Sequence, residues 1–201
     1  MNDAFALLGV ARRPWLDAEV LKQRFLSSSG ECHPDRLHNA PEAEKRAAQE
    51  RFTQLNQAYQ SLLNPRERIL HLAELELGHR AGEVQEIPSE LMALFFEVGK
   101  SCRKADALIA EKMAETSPLL KVQMFARGEE QIEELQKVKR EVALSRETLL
   151  AEIKSLDAGW ETVDVAERNS RLGDLQMIAG LLNYSKKWDA QIEERIVRLS
   201  F

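Results

Sequence analysis

The sequence predicts an all-α protein in two parts: an N-terminal antiparallel helical hairpin closed by a His-Pro-Asp loop, then an antiparallel three-helix bundle. Three observations carry this. Apolar residues recur at helical spacing through almost the whole chain, and no stretch shows the alternation of β-branched residues that marks a strand. Charged residues make up 30% and aromatic residues only 6%, the composition of long solvated helices. Helix-breaking residues concentrate between Gly78 and Pro88, which splits the chain into segments 1–77 and 89–201 joined by a linker over 78–88.

The elements follow in order. A short first helix runs from about Asp3 to Leu8 and ends at Gly9. Asp17 caps the second, which carries Val20, Leu21 and Phe25 and weakens at Ser27-Ser28-Ser29-Gly30, where fraying is expected. Pro34 cannot continue a helix and biases His33 away from helical angles, so His33-Pro34-Asp35 forms a rigid loop. The third helix, Pro41 to Leu63, places Ala48, Phe52, Leu55, Ala58, Tyr59 and Leu62 at helical spacing. After Pro65 a fourth runs from about Arg66 to Leu77. In the second part, Leu91, Leu94, Val98, Cys102, Ala105 and Ile109 form one stripe on a helix from Ser89 to about Glu115. Thr116-Ser117-Pro118 opens the next helix, whose seam is Ile132, Leu135, Val138, Val142, Leu149, Ile153 and Leu156. Asp157-Ala158-Gly159 is a tight break. The last helix is expected from about Trp160 to Leu199, with Leu175, Ile178, Leu182, Trp188, Ile192 and Ile196 inward and a middle weakened by Gly173 and Gly180.

Composition excludes several functions. No apolar run approaches the ~20 residues of a membrane span, and no basic start precedes an apolar stretch as in a secretory signal. Cys32 and Cys102 make no CxxC pair, so no disulfide framework or zinc site is expected, and a cytoplasmic location fits. The net charge of −5 comes wholly from residues 81–201, with 17 basic against 22 acidic side chains; residues 1–80 carry 11 of each. An acidic second half argues against nucleic-acid binding. No cofactor is expected, and no Gly-rich phosphate loop ending in Lys-Ser/Thr is present.

The His-Pro-Asp loop and its surroundings resemble the J-domain of DnaJ-type co-chaperones. Phe5-Ala6-Leu7-Leu8-Gly9-Val10 is similar to that family's opening, with Phe for the usual Tyr. Glu44 to Ala48 and Phe52 to Tyr59 are similar to its third helix, and Asn64-Pro65-Arg66-Glu67-Arg68 to its break before helix four. The resemblance covers roughly residues 2 to 77. It implies that His33, Pro34 and Asp35 bind a chaperone ATPase, with Asp35 facing an arginine; a charge-assisted bond of that kind contributes ~1.5–3 kcal/mol. Lys22, Arg24 and Arg36 are candidate basic contacts, although each also suits an ordinary solvated face. Ser27 to Glu31 holds no Lys or Arg, so steering toward an acidic partner is weak. Cys32, where the family has an aromatic, reads as a small packed hydrophobe rather than a redox site or iron ligand.

A J-domain followed directly by a bundle, without Gly/Phe-rich or CxxC modules, is similar to HscB-type co-chaperones of iron–sulfur cluster assembly. Leu91-Met92 with Phe95-Phe96 resembles the apolar patch with which that family binds the scaffold IscU. Arg66-Glu67-Arg68 with His71-Leu72 and the final Ser200-Phe201 also match, while Gly99 stands where an acid would be expected. Met92, Phe95 and Phe96 widen the stripe beyond what a core needs: they are either an exposed binding patch or a face docked on the J-domain or helix four. Tyr184 is a candidate addition to that patch. The resemblance implies a co-chaperone that stimulates an HscA/DnaK-type ATPase and delivers IscU-type scaffold to it. A J-domain protein for another client, with the bundle as adaptor, is the alternative. A hydrolase using His33 and Asp35 is a third reading, for which no nearby nucleophile or metal-spaced partner exists.

Overall fold

The fold is that of a computed structural model, described over residues 3–32, 41–78 and 89–201. Its described elements are all helical: α1 Ala4–Leu8, α2 Ala18–Glu31, α3 Glu42–Leu63, α4 Pro65–Leu77, α5 Ser89–Ala114, α6 Pro118–Asp157 and α7 Val165–Ser200. Local chemistry sets most of the ends. Asp3, Asp17 and Asn64 accept backbone N–H groups at the starts of α1, α2 and α4, and Pro65 occupies the first turn of α4. Gly9 and Gly78 close α1 and α4 at positive φ, 61° and 73°. The serine-rich end of α2 does not fray. Ser29 is buried and bonds back to Leu26 O, and the helix continues to Glu31.

The helices group into two compact units. The first joins Met1–Glu83 to Ala151–Ala179; the second joins Val84–Leu150 to Gly180–Phe201. The break between Glu83 and Val84 falls within the expected 78–88 segment, of which 79–88 lies outside the described residues; the grouping of 151–179 with the first unit was not expected. The end of α6 and the beginning of α7 belong with the N-terminal helices, because polar groups there are satisfied by the α1–α2 connection.

In the first unit α1 packs on α2 and α3, and α3 packs on both α2 and α4. Phe5, Leu8, Leu21, Leu55, Leu62, Ile69 and Leu72 are fully buried. Phe25 stacks on Tyr59, with ring centroids 4.6 Å apart, and Phe5 on His71 at 5.7 Å. In the second unit the core is Val98, Cys102, Ala105 and Ile109 of α5, Ile132, Leu135, Val138 and Val142 of α6, and Trp188 and Ile192 of α7. Ion pairs give the directions: Lys104–Glu134 (3.0 Å) and Glu111–Arg127 (2.8 Å) run α5 against α6, while Asp106–Arg195 (2.8 Å) and Lys112 Nζ to Leu199 O (2.9 Å) run α5 along α7. That is the up-and-down order expected of short-turn helices.

The last helix begins at Val165, not at Trp160. Gly159 takes φ +69°, and Trp160 folds into a turn where its indole N–H donates to Arg12 O at 3.0 Å. The helix starts only where Asp164 Oδ1 accepts the Glu167 N–H at 2.9 Å. Gly173 and Gly180 leave it unbroken.

Candidate partner-binding surfaces

Of the candidate chaperone contacts, Lys22 and Arg24 are described; both are exposed on α2, and Lys22 Nζ lies 3.9 Å from Glu19 of its own helix. His33, Pro34, Asp35 and Arg36 lie outside the described residues. Cys32, just before them, is buried, its thiol within 3.5 Å of Ser29 O, a packed position consistent with a small hydrophobe.

What fixes the start of α2 is a buried polar cluster that the sequence reading missed. Asp157 is only 5% exposed. Its carboxylate accepts the Arg13 guanidinium, with Nε at 3.0 Å, and the Trp15 backbone N–H at 3.0 Å. Arg68, also buried, donates to Pro14 O and Leu62 O, each at 2.7 Å, and lies 6.0 Å from the Trp15 ring centroid. Burial pulls the Arg68 pKa down to about 10, against the opposing pull of Asp157, so it stays charged at neutral pH. Arg168 sits over the Trp160 ring at 5.6 Å and pairs with Glu76 at 3.7 Å. Residues 12–15 are thereby held on both sides, and Asp17 then caps α2 through Glu19 and Val20 N–H. The missed signal is Asp157 itself: it stands four residues after Ile153, a core position of the α6 seam, and a carboxylate there requires a buried donor.

His71 ties α1 to α4. Its Nε2 accepts the Ala4 N–H at 3.0 Å. Burial holds its pKa below the ordinary histidine value; Asp3 and Glu74 pull the other way. Asp3 caps α1 and holds Arg12. Burial works to raise its pKa, but the Arg12 hydrogen bond and the Ala6 and Phe5 amides bring it below the usual carboxylate value.

On α5, Leu91 and Leu94 are half-buried, while Met92, Phe95 and Phe96 are exposed, Phe96 by 61%. The helix turns Val98 and Cys102 into the core, which leaves 92, 95 and 96 about a quarter-turn away. Phe95 lies 6.2 Å from Trp188 and 5.6 Å edge-on to Phe96. Tyr184 lies 6.1 Å from the same Trp188, so the structure brings it into one aromatic group with Phe95. Gly99 adds no charge to this face. Among the described residues no group of His, Cys, Asp or Glu is arranged to hold a metal, and no helix is long and apolar enough to cross a membrane.

Residues 3–71, about a third of the chain, match the DnaJ domain family. Within that class its likeness is to the HscB type. It is 34% identical over 74 residues to a co-chaperone HscB homolog of Aromatoleum aromaticum and 36% identical over 74 residues to one of Azoarcus sp.; each match covers 37% of this chain and 42% of the relative. A homolog from Paraburkholderia phytofirmans is 34% identical over 96 residues, 46% of this chain and 54% of the relative. The matched segment thus spans about half or less of the curated relatives. In fold the likeness extends further. HscB from Vibrio cholerae has a TM-score of 0.55 at 18% identity, over 95% of this chain and 99% of that one. Human HscB has a TM-score of 0.62 at 19% identity, over 96% and 82%. The J-domain part of the resemblance is what the family match returns, and the HscB type is what the curated relatives and, in fold, the solved structures return.

Proposed function

We propose that this chain is a co-chaperone that docks on an Hsp70-type ATPase through its DnaJ domain, stimulates ATP hydrolysis, and presents a client on α5. The chaperone is of the HscA/DnaK type, and the client is an IscU-type iron–sulfur scaffold, so the protein serves iron–sulfur protein maturation in the cytoplasm. His33, Pro34 and Asp35 contact the chaperone, with Lys22, Arg24 and Arg36 as basic support. Leu91, Met92, Phe95, Phe96 and Tyr184 bind the scaffold. The chain activates a partner's catalysis and performs none itself.

One observation carries the division of labour: in a chain with a DnaJ domain, α5 exposes Met92, Phe95 and Phe96 on a face its core does not use. Met and Phe suit an interface rather than a solvated face. The HscB likeness supports a scaffold as the client; a different client remains the alternative, separated by pull-down from cell extract.

The test of the DnaJ half is Asp35→Asn in single-turnover ATP hydrolysis by the chaperone. Loss of most of the stimulation with an unchanged melt is expected, since one charged contact is removed at no cost to the core. Full stimulation by the variant would sink this reading.

A further inference from the structure

We propose that the far end of the bundle is a self-association surface that joins two copies of this chain. Met113 at the end of α5 and Leu119, Val122 and Phe125 on the first turns of α6 are 58–79% exposed, with Leu120 and Val197 beside them also exposed. The three helix ends meet there: Lys112 Nζ donates to Leu199 O at 2.9 Å, and a Cβ on Gly128 would lie 3.9 Å from that same oxygen. On α6 Leu119 and Val122 turn outward, while Phe125, seven residues before the core residue Ile132, sits at the edge between that side and the core face.

Area and charge choose the occupant. Six side chains of this size, at roughly 150–200 Å² each when fully exposed, leave on the order of 600–700 Å² of mostly apolar surface. That exceeds the ~300–600 Å² of a typical monomer's largest patch and approaches the ~800 Å² each partner gives a standard interface. The rim favours neither sign: Glu111 and Arg127 are paired at 2.8 Å, and Lys121 and Glu129 flank the patch with one charge of each kind. A surface with no net charge preference is no match for an acidic or basic partner, or for an anionic lipid. A neutral apolar surface can meet its own copy across a two-fold axis without like-charge repulsion. Met113 lies about 30 Å along α5 from Met92 at 1.5 Å per residue, so two copies joined here would each keep the Met92–Phe96 face free.

Sedimentation equilibrium of the full chain between about 1 and 200 μM tests this. A species of twice the 22.9 kDa chain mass is expected. Val122→Glu combined with Phe125→Glu should raise the dimer dissociation constant at least a hundredfold, with a melt that moves little because both side chains are more than half exposed. The milder Leu119→Ser, expected to raise it about tenfold, keeps the test open if the double variant misfolds. Phe96→Glu should leave the dimer intact. A 22.9 kDa species at every concentration, a dimer that survives all the tip variants, or one abolished by Phe96→Glu would each overturn the proposal.

Discussion

The two units break opposite rules of burial. In the first unit a carboxylate and two guanidinium groups are drawn toward the interior around residues 12–15. In the second, two phenylalanines and a methionine are left in water on α5. A buried charge is tolerated only when its hydrogen bonds are made, so the Asp157 cluster is explained by its own partners: Arg13, the Trp15 N–H, and nearby Arg68 on Pro14 O. The exposed aromatic face meets the core only where Phe95 lies against Trp188, and Phe96 stands 61% exposed beside it. The Asp157 carboxylate finds its partners within its own unit; the α5 face is where we propose that a partner binds. Removing a side chain should therefore damage folding in the first and association in the second.

The largest effect on stability belongs to Asp157. Asp157→Ala leaves the Trp15 N–H without its acceptor and Arg13 without its counter-charge. Arg13 is partly exposed and can turn to water, so the cost is about 2–3 kcal/mol rather than the larger penalty of a fully buried pair. For a chain of this size that lowers the thermal midpoint by roughly 5–10 °C. A calorimetric melt measures it. Client binding by α5 should survive at temperatures where the variant is folded. An unchanged midpoint would mean that the cluster is ornament to the first unit, and the contrast would fail on that side.

The opposite arm is Met92, Phe95 and Phe96 changed together to alanine. Interface anchors of this kind typically cost ~2 kcal/mol or more each on truncation, so affinity for purified IscU-type scaffold should fall well over tenfold. The melt should move little, because the most exposed of them, Phe96, fills no cavity; the Phe95 contact with Trp188 accounts for what shift there is. Isothermal titration beside a melt reads both. An early melt with lost binding would assign the patch to the core after all.

How far the sequence carried this contrast depends on whether a signal is periodic. The described helices were legible because burial repeats every three to four residues: Val98, Cys102 and Ala105 of α5, and Ile132, Leu135, Val138 and Val142 of α6, are all buried as their spacing predicts. The exposed patch was legible for the same reason, as apolar residues in excess of the period. The polar cluster was not, because it joins residues 12–15 to Asp157 and Trp160 across more than 140 positions, and no local pattern reports a contact of that span. The same cause displaced the start of α7. Trp160 is held by Arg12 O, and the true beginning was written in the Asp164-x-x-Glu167 cap, a short signal that the longer apolar pattern concealed. The grouping of 151–179 with the N-terminal helices was hidden alike: chain punctuation at 78–88 marks where helices end, not which distant helices share a core.

The smallest expected effect refines what a complete buried site means, because His71 satisfies its partner only while neutral. Its Nε2 accepts the Ala4 N–H, a bond that a protonated imidazole cannot take, and burial opposes the charge. Its folded pKa therefore lies below the ordinary 6.5 of the unfolded chain. With the folded value depressed, the unfolded state binds the proton first as pH falls. The contribution of His71 is complete above about pH 6.5 and declines through the window between 6.5 and the lower folded value. Asp3, the charged neighbour on α1, also has a lowered pKa, but its contribution is lost only as pH falls below its usual 3.8, so the two steps are separate. Chemical denaturation at a series of pH values from 7.5 to about 5 should show stability falling below 6.5, and His71→Gln, which keeps an acceptor without the titration, should flatten that limb. An equally steep limb in the glutamine variant would place the sensitivity elsewhere in the first unit.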